Sequence, residues 1–200
     1  MKKKTLLFVL ACCWLAGATA QSGDAKAYRN FPIIVSLQFH SLSMPFKDFK
    51  SNFSNMGIGL GTELSFNGRQ NWVQQVNAVW YRNKTIGNGL FLYTQTAWRP
   101  KVVDHFYTEI KLGAGYLMSF RPVEAFQYQE GLWRPAGHKA KGLLALPIGI
   151  SLGYDQYKPD TYFSPFVSYQ FMLVNGYNQS IPLVPETLFQ IGSRIHLQGK

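Results

Sequence analysis

Apolar residues recur at about every second position across eight separate stretches of this chain, and period-two patterning of that kind commits a chain to β-strands with one shielded face. The stretches run Phe31–His40, Met56–Phe66, Trp72–Tyr81, Gly89–Arg99, His105–Met118, Gly142–Gly153, Thr161–Met172 and Glu186–Leu197. Each supplies about the 9–11 residues that a tilted strand needs to cross a bilayer. Helical periodicity is weak throughout. The longest apolar run, Gly142 to Tyr154, carries Pro147, Gly149, Ser151 and Gly153, and it falls short of the roughly 20 residues of a membrane helix.

The two faces differ in kind. In the second stretch Ile58, Leu60, Leu64 and Phe66 alternate with Gly57, Gly59, Gly61, Glu63 and Ser65. In the fifth, Phe106, Ile110, Leu112, Ala114, Tyr116 and Met118 alternate with Tyr107, Glu109, Lys111, Gly113 and Gly115. A soluble, lipocalin-like barrel with the apolar face inward would need a well-charged exterior. Only 15% of the chain is charged, against 16% aromatic residues and 18 Gly, so the small polar face suits a crowded barrel interior and the apolar face suits lipid. The connections alternate in length. Asn67–Asn71, Pro100–Asp104 and Tyr154–Asp160 are short, whereas Ser41–Asn55, Arg82–Asn88, Ser119–Lys141 and Leu173–Pro185 are longer. Short turns on one side and long loops on the other are the habit of outer-membrane barrels. Trp72, Trp80, Tyr81, Trp98, Phe106, Tyr162 and Phe163 gather near strand ends, where interfacial girdles belong. The expected fold is therefore all-β, an antiparallel eight-stranded transmembrane up-and-down β-barrel.

Residues 1–20 read as a cleaved signal peptide: a basic Lys2-Lys3-Lys4, an apolar run from Thr5 to Gly17, then Ala18-Thr19-Ala20 before Gln21. The barrel domain is then 21–200. Both cysteines, Cys12 and Cys13, fall within the removed segment, which leaves no thiol chemistry. Val9-Leu10-Ala11-Cys12 resembles a lipoprotein processing box, but cutting there would leave a very short apolar core. Without its three signal lysines the chain keeps 17 Lys+Arg against 10 Asp+Glu, a formal charge of +7.

Patterns such as Gly57-Ile58-Gly59-Leu60-Gly61-Thr62-Glu63 and Lys111-Leu112-Gly113-Ala114-Gly115-Tyr116 make Phe31–Leu197 resemble the small eight-stranded outer-membrane β-barrel proteins of double-membraned bacteria, within the porin-like barrel superfamily. The resemblance implies location in the cell outer membrane and architecture rather than chemistry. Two features depart from the pattern. Pro147 and Pro165 interrupt strands and suggest bulges, and the chain ends His196-Leu197-Gln198-Gly199-Lys200 without a terminal aromatic residue.

No catalytic constellation stands out. Barrels that hydrolyse or transfer lipid A acyl chains use a His/Ser pair with an acid, and the local options are His40 with Ser43 and Ser193 with His196. Alternation sends Ser193 to lipid and His196 to the lumen, so that pair cannot meet. The four histidines, His40, His105, His138 and His196, show no ligand spacing, so no metal and no cofactor is expected. The glycine run at Gly57–Gly61 opens no helix and fails the phosphate-loop test. Dispersed basic charge behind an export signal argues against nucleic acid. Alternation brings Glu63, Glu109, Lys111 and Arg194 into one narrow lumen, as a charge cluster that sums to zero. The long connections carry Lys47, Lys50, Arg82, Lys84, Arg121, Arg134, Lys139 and Lys141, at the level of lipopolysaccharide phosphates if those loops face outward. The expectation is a monomeric, non-enzymatic envelope or surface-interaction protein whose partners are outer-membrane lipid and lipopolysaccharide. A lipid A-modifying acyl hydrolase or transferase, and a narrow channel or carrier for small apolar solutes, are the alternatives.

Overall fold

The computed structural model describes residues 31–42, 53, 55–66, 68, 70–83, 87–120, 125–129, 131–137, 140–158, 160–177 and 183–197. The strands are β1 (Ile33–Ser41), β2 (Met56–Ser65), β3 (Trp72–Tyr81), β4 (Asn88–Trp98), β5 (Lys101–Val103), β6 (Phe106–Phe120), β7 (Ala125–Gln129), β8 (Leu132–Gly137), β9 (Lys141–Tyr154), β10 (Tyr162–Asn175) and β11 (Leu183–His196). Eight of them pair antiparallel in the order β4-β3-β2-β1-β11-β10-β9-β6, and a β4–β6 ladder closes the ring. Closure leaves none of these eight strands with unpaired backbone at an edge, which a sheet surrounded by lipid requires. These eight are the stretches read from alternation, with ends shifted by at most three residues. The signal segment, residues 1–20, lies outside the described residues.

Burial decides which way the barrel is built. Leu60, Ile110, Leu144 and Leu152 stand 54–68% exposed on the outer wall, while Glu63, Glu109, Lys111 and Arg194 are each only 1% exposed inside. An apolar exterior around a polar interior suits lipid and would be ruinous in water. Two aromatic belts frame this wall. At the turn end Trp72 lies against Trp98 and Phe106 against Tyr154; at the loop end Trp80 meets Phe120, and Phe53 sits between Phe39 and Phe189. Tyr81 and Tyr162 are not girdle residues. Both face the lumen and are buried, because each holds the inward parity of its strand.

The prolines make no bulges. Pro147 pairs with Met172 and Pro165 with Ser193 in unbroken register. Toward β6 the pairing simply skips from Leu112↔Ile148 to Gly115↔Ala145 with no shift, so the missing donor costs two ladder positions and nothing else. The register irregularities fall instead in β5 and at the start of β7. Glycine on the inner wall makes room for large neighbours: a Cβ on Gly113 would strike the Thr94 carbonyl and the Gln95 side chain, and one on Gly153 would strike the Tyr107 ring.

Candidate functional site

The lumen is filled in layers, each set by which residues reach the inward parity at a given height. At the turn end, Glu63 from β2 and Glu109 from β6 share two guanidiniums. Arg194 Nε lies 3.1 Å from Glu63 Oε2, and its Nη2 lies 2.8 and 3.0 Å from the two oxygens of Glu109. Arg99, just past β4, reaches Glu63 at 2.8 Å and Glu109 at 2.7 Å. Arg194 also donates to the Tyr107 hydroxyl and lies over the Phe166 ring at 4.5 Å. Lys111 donates to Ser168 Oγ at 2.7 Å, with Glu109 Oε2 at 3.8 Å. The structure thus brings Glu63, Glu109, Lys111 and Arg194 together and adds Arg99, which the sequence reading left unassigned. With Arg99 the layer holds three cations against two carboxylates rather than a balanced four. Arg99 was within reach of the sequence, since continuing the inward parity Gln95, Ala97 by one step lands on it.

Above this layer runs a chain of amides. Gln190 donates to Gln170, Gln170 to Gln95, Gln95 to Gln75 and Gln75 to Glu63, at 3.3, 3.1, 2.7 and 2.8 Å. Each amide passes its hydrogen bond in the same direction, ending on a carboxylate, an arrangement in which neighbouring bonds polarise one another. A void of about 10 Å³ between Gln75, Asn77, Gln95, Lys111 and Arg194 has room for roughly one water.

The loop half of the lumen holds an apolar cluster. Val79, Phe91, Leu117, Leu143, Met172, Val174 and Leu188 pack into one buried cluster, with Phe91 stacked on Tyr93 at 4.4 Å. Alternation marks these positions as inward, yet their apolar side chains break the rule that the inner face is small and polar, so the sequence reading passed over them. His40 caps this half. Its ring nitrogens are taken by Glu186 at 2.9 Å and Asn83 at 3.0 Å, and Ser43 lies outside the described residues. Ser193 faces the outer wall while His196 is buried inside, stacked on Tyr162 at 4.4 Å. Among the described residues no group of three His, Cys, Asp or Glu side chains could hold a metal ion.

Of the basic loop residues, Arg82, Arg134 and Lys141 are exposed at the loop end. Lys141 Nζ donates to the Tyr177 carbonyl at 2.9 Å. Lys47, Lys50, Lys84, Arg121 and Lys139 lie outside the described residues.

No family model and no curated protein matches this chain. Solved structures do. Neisserial surface protein A superposes with a TM-score of 0.55 at 10% identity, over 84% of this chain and 97% of that one. Ail, the attachment invasion locus protein of Yersinia pestis, superposes with a TM-score of 0.50 at 13% identity, over 83% of this chain and 97% of its own. Both are small eight-stranded outer-membrane barrels. This chain has their fold. At such identity the likeness carries the architecture, a closed antiparallel eight-stranded barrel, and carries no residue-level chemistry.

Proposed function

We propose that this chain is a non-conducting, non-enzymatic, monomeric protein of the outer membrane, exported by residues 1–20, whose working surface is the loop end. The observation that carries the reading is the filled lumen. Ion passage would have to break both a bidentate ion-pair layer and an apolar plug, so among the described residues the interior offers neither an open path nor an unengaged reactive group. His40, at the loop end of the lumen, has both ring nitrogens engaged, which argues against its serving as the base of an acyl-transfer site. What remains available is the basic loop surface. One structural neighbour is named a surface protein and the other an attachment invasion locus protein, which accords with a surface-interaction role.

The partner this surface fits is the phosphate of lipopolysaccharide, to which Arg bonds bidentately and Lys as a point charge. Each exposed contact is worth under about 1 kcal/mol, so affinity comes from several together and weakens with salt. Neutralising Arg134, Lys139 and Lys141 together is expected to lower lipopolysaccharide co-purification while leaving the heat-modifiable barrel intact; unchanged co-purification would refute the assignment.

A further inference from the structure

One buried residue, together with its carboxylate partner, sits where the margins of the four long connections meet. His40, next to last in β1, is fully buried and lies flat on Tyr81 with ring centroids 3.9 Å apart. Its Nδ1 faces the Asn83 side-chain nitrogen, which can only donate, so Nδ1 accepts and Nε2 carries the hydrogen given to Glu186 Oε2. Glu186 accepts two further bonds, from Tyr81 at 3.2 Å and from Tyr177 at 2.5 Å. Burial, reinforced by the Glu186 carboxylate, pushes the Tyr177 hydroxyl above its ordinary pKa, so it stays a donor.

Each connection contributes at its edge. Asn55 closes the first, accepting from the His40 amide at 2.9 Å and donating to the His40 carbonyl at 3.2 Å. Asn83 begins the second, and its carbonyl accepts from the Gly87 amide at 3.0 Å. Lys141 ends the third and bonds the carbonyl of Tyr177, which begins the fourth.

A carboxylate buried among side-chain hydrogen-bond donors is a costly object to keep beside an apolar cluster that already fills the lumen. Its three donors make the loop margins interdependent, because withdrawing any one leaves a buried carboxylate oxygen short of a partner and weakens the hold on the others. We propose that His40 is a positioning residue that couples the margins of the four long connections into one unit, so that the surface role proposed above, on which the binding side of this inference rests, is carried by a platform rather than by four independent loops.

Backbone amide exchange on the full mature chain in lipid nanodiscs tests the coupling. Tyr177→Phe removes one hydroxyl from the fourth connection, and the amides of Gly87 and His40, which report on the second and first, are expected to exchange about tenfold faster while Ile150 in mid-β9 is unchanged. Acceleration confined to residues beside 177 would overturn the proposal. His40→Phe keeps a ring against Tyr81 but loses both polar contacts and should accelerate the same amides. His40→Gln, which still offers Glu186 a donor, should restore part of the protection; equal exchange in these two variants would count against the role. Lipopolysaccharide co-purification is scored in parallel. A wild type that retains none overturns the surface reading alone, whereas retention that is indifferent to His40→Phe despite faster exchange overturns the platform.

Discussion

Glu109 shows what a single side chain does in this lumen. It receives Arg194 through two nitrogen-to-oxygen contacts and Arg99 through a third, with Lys111 close by, all out of water. Breaking a buried pair by removing one partner typically costs about 3–5 kcal/mol, since the stranded charge keeps its desolvation penalty. Glu109→Ala leaves Arg99, Arg194 and Lys111 facing Glu63 alone and is expected to destabilise the barrel by that order, measured by reversible urea unfolding into lipid vesicles. Glu109→Gln keeps acceptor capacity on one oxygen and should fall between that variant and the wild type. A cost below about 1 kcal/mol for Glu109→Ala would mean that water reaches the layer and screens it. Parity alone placed Glu63, Glu109, Lys111 and Arg194 indoors, because a strand's two faces are fixed two residues at a time. It did not say who touches whom. Arg99 was missed because it stands one residue beyond β4, where the strand pattern ends but the inward direction persists.

At the level of elements, the barrel strands were legible and the accessories were not, and the difference is physical. A barrel strand must show an unbroken apolar row to lipid, so β6 and β9 carry a signal of fourteen or more residues. The β7–β8 ribbon pairs only with itself, inside the third long connection, and answers to no such demand. Between the paired Gln129 and Leu132, Gly131 stands at φ 80°, the left-handed position of a tight hairpin, but in sequence Glu-Gly is a weak turn signature beside Asn-Gly. Because the ribbon shares no ladder with the barrel, replacing residues 125–137 with a short Gly-Ser linker should leave heat-modifiable migration intact and shift barrel stability by no more than about 0.5 kcal/mol. A larger loss would show that the ribbon props the mouth. Processing belongs to the same scale. The Ala18-Thr19-Ala20 box predicts a mature chain beginning at Gln21, and intact-mass spectrometry of the membrane fraction would instead show an acylated Cys12 terminus if the lipoprotein box were used.

The whole molecule is a soluble protein turned inside out: its wall is apolar, its interior mixed, and its ends are belted by aromatic rings. Composition exposed that inversion, since 15% charged residues cannot coat a barrel of this size in water. What composition could not expose is height. Alternation assigns inside or outside but not which inward residues share a level, so the division of the lumen into an ionic layer, a glutamine chain and an apolar plug emerges only from the register of eight strands. That division has a consequence for transport. Two seals of different chemistry lie in series, and an ion that slips past Arg99 and Arg194 still meets the packed side chains of Phe91, Leu117, Met172 and Leu188, which cannot replace its hydration. The wild type is therefore expected to give no steady current in planar bilayers, and so is Glu109→Ala, even though that variant is destabilised. Steady conductance should require both seals to be breached, as in Glu109→Ala combined with Phe91→Ala and Leu117→Ala, provided the combined variant still shows heat-modifiable migration. Steady current through Glu109→Ala alone would show that the apolar half does not seal, and would turn the lumen back into a candidate pathway.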